Sequence, residues 1–318
     1  MIFLRNLSIA TLLWPSPVLA QPMLTFPVDC TMGQTCFIED YVDHDPRPNQ
    51  QRDFTCGINS RDGHKGTDIA LLSFDALGTP VRAAAAGQVL RTRDGMVDDR
   101  TMAGVTPQNA CGNAVVVDHG DGWQTVYCHL AEGSIAVAVG DRVQTGDQLG
   151  GVGLSGQTNH PHLHLGLLHN GRVVDPFAPD SAACGETGDS LWATPLPYTD
   201  TGLITAGFSD RLPDLEAVTS GSARVAVSPT SAPLVIYAHA AHAQHGDLLT
   251  LEAHGPEGEV FHRTIILKTP QVSTMRAAGR RAPDAGWPPG DYLGEATLTR
   301  KGQVIAHRFA HTTVQDRP

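Results

Sequence analysis

The feature that most constrains this chain is a long succession of short apolar runs cut apart by glycine turns. TPVRAAAAGQVL, GNAVVVDHG, GWQTVYCHL and HPHLHLGLL are such runs, and AVVVD and HLHLGL alternate with the period of two expected of strands. The 33 glycines and 22 prolines in 318 residues exceed their usual shares of about 7% and 5%. Long helical bundles and coiled coils are excluded, and an all-β chain is expected. At roughly 150 residues per domain, this length makes about two domains, each large enough for its own core.

The first 20 residues read as an address. Arg5 precedes an apolar stretch from Leu7 to Leu19, and Val18-Leu19-Ala20 before Gln21 is a small-residue cleavage site. Pro15 and Pro17 break the stretch before it reaches the roughly 20 apolar residues of a membrane anchor. A cleaved signal peptide over 1–20 is therefore expected, giving an exported protein, periplasmic or secreted. Gln21 in place of a cysteine argues against lipid attachment, and no later segment is apolar enough to span a bilayer.

Residues 21–55 form a lead-in whose polar, proline-bearing DHDPRPNQQRDF is expected to be irregular. Residues 56–185 carry the first β pattern and 186–202 a linker rich in Pro, Asp and Thr. Residues 203–318 carry a second β pattern with turns at SPTSAP, HGPEGE, WPPGD and RKGQ, expected to be a C-terminal Ig-like β-sandwich. The polar stretch RDGMVDDRTMAGVTPQNA is expected to be a long loop forming an active-site wall. A net charge of −11 without basic runs excludes a nucleic-acid binder, which needs clustered Lys and Arg.

Export decides how the six cysteines are read, because disulfides are the default in an oxidising compartment. None of Cys30, Cys36, Cys56, Cys111, Cys128 and Cys184 forms a CxxC pair. A hairpin centred on Gly120-Asp121 would set Cys111 opposite Cys128, within bridging reach, and closing it contributes about 3 kcal/mol. Cys30 with Cys36 suits a small staple, leaving Cys56 with Cys184. Connectivity beyond the hairpin stays open at this level.

Histidines carry the chemistry. His64-Lys65-Gly66-Thr67-Asp68 sets an imidazole and a carboxylate four apart, on one face of an extended segment or of a helix. His162-Leu163-His164 puts two imidazoles on one face of a strand, and His129 ends TVYCHL. Two histidines and one aspartate make a zinc ligand set that leaves the fourth tetrahedral position for water. Zinc so bound lowers its water's pKa to about 7 and polarises a carbonyl, the two things amide hydrolysis requires. Singly, each pattern is commonplace; together in one glycine-rich β unit they point to a site. HExxH is absent, which excludes a helix-borne zincin. His239, His242 and His245 lie three apart without a partner at sharp spacing, and no chemistry is expected of them. His119, His160 and His169 read as turn or surface residues, with His160 the one that could line a groove.

With these blocks in view, residues 63–177 resemble the lysostaphin/LytM-type zinc endopeptidases, which cut peptide cross-links of bacterial cell walls. The blocks stand in the family's order: GHKGTDIAL, GTPVRAAAAGQVL, GNAVVVDHGDGWQTVYCHL, VAVGDRVQTGDQLGGVGLSGQTNHPHLHLGL and VVDPF. The resemblance implies a compact antiparallel β peptidase domain of the lysostaphin-like (duplicated hybrid motif) kind, with a groove and one zinc per active site. Position by position, His64, Asp68 and His164 match the family's metal ligands. His129 and His162 match its non-ligand catalytic histidines, which orient or deprotonate the water and stabilise the transition state. Two departures stand out. Leu165-Gly166 replace the Phe and Glu that often follow, and that Glu is not a ligand in the pattern. Cys128 stands where alanine is common; it suits the hairpin disulfide, whereas a free thiol beside zinc would compete with the ligands.

The leading reading is thus a zinc metalloendopeptidase acting on peptidoglycan stem peptides or cross-links. The alternative is a catalytically silent LytM-like binding module that activates other cell-wall hydrolases; such relatives usually lack a ligand, and here all three stand. A structural zinc site would be closed by four protein ligands, and three are evident. The lead-in could cover the site as an inhibitory segment. A D-Ala–diaminopimelate link is favoured over a glycine bridge if the source is Gram-negative.

Overall fold

The computed structural model describes residues 21–316 apart from 49, 73, 101, 182 and 187, so the expected signal peptide lies outside the described residues. Two β units follow one another. The first contains β1 (Cys36–Asp40), β2 (Thr67–Leu71), β3 (Pro80–Arg82), β4 (Gly87–Arg93), β5 (Asn113–Gly120), β6 (Trp123–Leu130), β7 (Arg142–Val143), β8 (Gln148–Gly151), β9 (His162–His169) and β10 (Arg172–Val173). Its main antiparallel sheet runs β1-β2-β9-β6-β5-β4-β7, with β10 on β9, and β3 pairs β8 separately.

Alternation explains which face each strand presents. On β9, Leu163, Leu165 and Leu167 enter the core, so His162 and His164 share the opposite face. Val115 and Val117 of β5 pair across from Tyr127 and Thr125 of β6, all fully buried. The Tyr127 hydroxyl accepts from the Ala84 N–H at 2.8 Å, which satisfies the polar end of a ring buried in the core.

The β5–β6 hairpin turns on Asp121 and Gly122, one residue beyond the expected centre, between the paired Gly120 and Trp123. Both central residues have positive φ, 48° and 79°, as a type I′ turn requires, and Asp-Gly is a preferred pair for it. Cys111 consequently precedes β5 and does not face Cys128 on the ladder. A β-bulge between Asn113 and Val115 offsets the start of β5, and the disulfide closes with the two Cα atoms 4.9 Å apart. Cys30 bonds Cys36 and Cys56 bonds Cys184, so no cysteine is free and Cys128 is no thiol.

The lead-in is irregular over its DHDPRPNQQRDF segment. Its earlier part, CFIED, is β1, buried at all five positions and paired with β2 at the sheet edge. Leu24, Ile38 and Tyr41 from the lead-in, and Leu191 and Trp192 from the linker, share the core of the first unit.

The second unit contains β11 (Gly202–Ser209), α1 (Leu215–Thr219), β12 (Val227–Pro229), β13 (Leu234–Ala243), β14 (Leu248–Gly255), β15 (Gly258–Ile266), β16 (Gln271–Arg280), β17 (Gly290–Arg300) and β18 (Gln303–Gln315). Sheets β11-β13-β16 and β12-β18-β17-β14-β15 enclose one apolar core that includes Phe208, Ile236, Leu251 and Leu298. With β12 set aside, the first, second and fifth strands face the seventh, sixth, third and fourth. Immunoglobulin-type sandwiches share that order except at the fourth strand, which there pairs with the fifth. The units meet where β18 passes the lead-in: the Val304 N–H donates to Gly33 O at 2.8 Å, and Phe37 stands edge-on to His307.

Candidate metal centre

His64 is not on a strand. It ends a turn in which its N–H donates to Arg61 O at 2.9 Å, and β2 begins only at Thr67. A bend thus spans the four residues to Asp68, in place of the strand or helix face that spacing alone allowed. Asp68 is fully buried on β2, and its cross-strand partner on β9 is His164. That register sets the carboxylate and the imidazole side by side. Gly66 makes room for them: a Cβ there would stand 2.7 Å from Cε1 and Nε2 of His164.

The donor atoms converge. His64 Nε2 lies 3.1 Å from Asp68 Oδ2 and 3.2 Å from His164 Nδ1, which is 2.7 Å from Asp68 Oδ1. A tetrahedral cation with bonds near 2.0–2.1 Å holds its ligand atoms roughly 3.3–3.4 Å apart, and one atom from each of these three side chains lies within 4.8 Å of the others, so the set suits one ion. His64 Nδ1 lies 2.7 Å from Tyr41 O. A carbonyl only accepts, so Nδ1 carries the proton and the Nε2 lone pair faces the site. Among the described residues no other His, Cys, Asp and Glu group is gathered in this way.

Two further histidines flank the donors. Thr158 Oγ1 donates to His160 O at 2.7 Å and so accepts from His162 Nδ1 at 3.0 Å. His162 Nε2 is left as a bare lone pair, buried without a partner and 3.6 Å from Asp68 Oδ2. His129, just past Cys128, has φ 62°, a region that costs a non-glycine residue about 1–3 kcal/mol. It is pinned there from both sides: its N–H donates to Cys111 O at 2.9 Å and its carbonyl accepts from Gly153 N at 2.8 Å. Its Nδ1–H donates to Ser155 O at 2.8 Å, which turns Nε2 to the groove. The His129 ring centroid lies 4.7 Å from that of His162.

Charge separates the two sets. Burial would raise Asp68, but His64, His162, Arg61 and His164 overcome it and hold the carboxyl well below its ordinary range. Burial pulls His64 down, yet the Asp68 carboxylate beside it leaves the imidazole raised overall. Burial pushes His162 down to about 4, and burial with the adjacent His162 and His164 takes His129 well below its ordinary value. The Asp68 carboxylate therefore stands next to two imidazoles, His129 and His162, that are neutral at pH 7.

An open groove of about 650 Å³ runs past His64, His129 and His164, with Pro107 and Ala110 of the long polar loop in its wall. No described residue of 21–55 lines it. The lead-in supports the site from behind, through Tyr41 O, and lines a neighbouring hollow with Val42 and Asp43. His160 is a correction to the sequence reading. It is buried, stacks on His162 and on Phe309, and bonds Glu39 through Nε2. His119 and His169 are strand residues: His119 bonds Ala86 O and Thr125 Oγ1, and His169 stacks on Trp123. Glu39, Tyr41, Arg61, Ser155 and Thr158 were missed; Ser155 and Thr158 lie inside the HxH block and Arg61 just before His64, whereas Glu39 and Tyr41 lie outside every motif.

Residues 62–176 match Peptidase family M23. This segment is an M23 peptidase domain. The M23 segment contains all five of His64, Asp68, His129, His162 and His164, and it ends before β11. It is 35% identical over 112 residues to the peptidoglycan DD-endopeptidase ShyA of Vibrio cholerae, covering 35% of this chain and 22% of that protein. Identity to the cell division protein DipM of Caulobacter vibrioides is 37% over 102 residues, 32% of this chain and 16% of that one. To the DD-carboxypeptidase/endopeptidase Mpg of Neisseria meningitidis it is 35% over 115 residues, covering 36% and 22%. The chain spans about a fifth of the length of these relatives.

Proposed function

We propose that the protein is an exported, zinc-dependent endopeptidase that hydrolyses amide bonds in peptidoglycan stem peptides or their cross-links. The observation that carries this reading is the convergence of three metal-ligand side chains beside two neutral histidines, with His64, His164 and His129 lining one groove. His64, Asp68 and His164 would hold the ion, whose contribution when bound is a water of lowered pKa and an electrophile for the scissile carbonyl. Three protein ligands leave one corner open, unlike a structural site closed by four. His162 is set up as the base: its Nδ1–H is tied to Thr158, so Nε2 is already in the accepting tautomer and takes the proton of the attacking water. His129 Nε2 orients that water from the groove side, and a proton gained by either histidine is then available to the departing amine. The relatives named as DD-endopeptidases support a peptidoglycan substrate, and three disulfides support an oxidising compartment.

The test uses metal-stripped, zinc-reconstituted protein on purified sacculi, read as new amine termini. The wild type should release them, and His129→Ala should be slower by about 10²–10⁴-fold. No release by the wild type, with His129→Ala indistinguishable from it, would overturn the reading. Mass spectrometry of fragments from defined muropeptides then identifies the bond.

A further inference from the structure

One arginine of the second unit reaches two buried carboxylates of the first. Arg308 on β18 bonds Glu39 Oε1 through Nη1 and donates from Nη2 to Asp40 Oδ1 at 3.0 Å. From Glu39 a branch continues through Oε2 to His160 Nε2, and the His160 ring stacks on His162 with centroids 4.8 Å apart. From Asp40 a second branch continues through Oδ2, which accepts from Arg61 Nε at 2.7 Å, and Arg61 Nη2 bonds Asp68 Oδ2. Both branches start on one guanidinium; one ends beside the candidate base and the other on a candidate ligand.

Side-chain exposure is 16% for Arg308, 5% for Glu39 and 2% for Asp40. Charges this dry return little net stability, because desolvation consumes most of their attraction, and a packed apolar contact would join the units as well. A planar guanidinium bonded to two carboxylates at once does something an apolar contact does not: it sets their separation and direction. Phe309, the next residue on β18, stacks on His160 and restrains the same ring.

We propose that Arg308 is a positioning residue: with Glu39 and Asp40 it fixes His160 and Arg61, and through them His162 and Asp68. The second β unit then completes the active centre of the first. This rests on the roles given above to His162 and Asp68.

Arg308→Lys keeps the charge but loses the planar fork, and Glu39→Gln interrupts one branch only. Arg300→Lys is the control, since Arg300 makes a similar fork to Asp247 inside the second unit. Three quantities are read: kcat and KM on muropeptides, zinc affinity by chelator competition, and histidine-ring signals of the metal-free protein in a long-range ¹⁵N–¹H spectrum. Arg308→Lys should lower kcat by about 10–100-fold with KM little changed, weaken zinc, and shift the His162 signals. Glu39→Gln should lower kcat and shift His162 while leaving zinc affinity near wild type. Arg300→Lys should move none of the three. Wild-type kcat, zinc affinity and His162 signals in folded Arg308→Lys would overturn the proposal; should that variant not fold, wild-type kcat and His162 signals in Glu39→Gln would do so. The ring signals need neither metal nor substrate. A shifted His162 in a protein that cuts no peptidoglycan would therefore uphold the positioning role while the peptidase reading failed.

Discussion

The two β units reach a stable fold by different routes. The first holds every cysteine, and it buries Glu39, Asp40, Asp68, His129, His160 and His162. The second has no cysteine, and Phe208, Ile236, Leu251 and Leu298 belong to its apolar core. Dry charges and imidazoles contribute little net stability, and His129 adds a backbone cost. A disulfide worth about 3 kcal/mol sits directly beside that residue. All three cross-links lie in the unit that carries the site, while the second unit buries fewer such groups, among them His239, Asp247 and His307, and has no cysteine.

The sharpest way to break this contrast is Asp68→Ala. It should abolish stoichiometric zinc by elemental analysis and reduce peptide hydrolysis to background, while the second unit unfolds as before. Retained metal would remove the chemical half of the comparison. His162→Ala should leave zinc bound and slow turnover by about 10²–10⁴-fold, measured on reconstituted protein. Leu251→Ala in the second core should cost about 2–5 kcal/mol in urea unfolding of that unit. Replacing Cys111 and Cys128 by serine should cost the first unit about 3 kcal/mol, followed by the same method. An unchanged urea midpoint there would show that the cross-link offsets nothing.

The smallest effect is a pH slope in the metal-free protein. His129 and His162 titrate lower folded than unfolded, near 6.5, so the unfolded chain binds more protons. Their stabilisation is fully present above about pH 6.5 and is lost as pH falls toward about 4 for His162. His64 runs the opposite way: its contribution is present below its unfolded pKa and is lost as pH rises through the raised folded value. The difference between wild type and His162→Gln isolates one group. It should change by up to about 1.4 kcal/mol per pH unit between pH 6.5 and 5, from paired urea titrations. A flat difference would contradict the burial of that ring as the cause of its low pKa.

What was legible in the sequence was whatever depends on near neighbours. The period of two in HLHLGL placed His162 and His164 on one face, and the hairpin brought Cys111 within reach of Cys128, while the other two pairings stayed open. The turn was misplaced by one residue because HGDGW offers two Gly-Asp pairings, and only Asp121-Gly122 puts both central residues at positive φ with glycine second. β1 escaped notice because CFIED, buried throughout, shows no alternation, and glycines and alanines blur it in β11 and β16. Glu39, Asp40 and Arg308 were beyond reach for another reason. Apart from the Asp40–Arg61 pair, their side-chain partners lie more than a hundred residues away in the chain, and such contacts leave no local pattern.

The Cys56–Cys184 bond joins residues 128 apart in sequence, and the whole M23 segment lies inside that ring. A single proteolytic nick anywhere within it severs the backbone without releasing a fragment. β2 and β9 stay tethered, and so do the two strands' worth of contacts that gather the donor atoms. Such a cut becomes a scar, and the half of the molecule that carries the candidate metal centre is not shed.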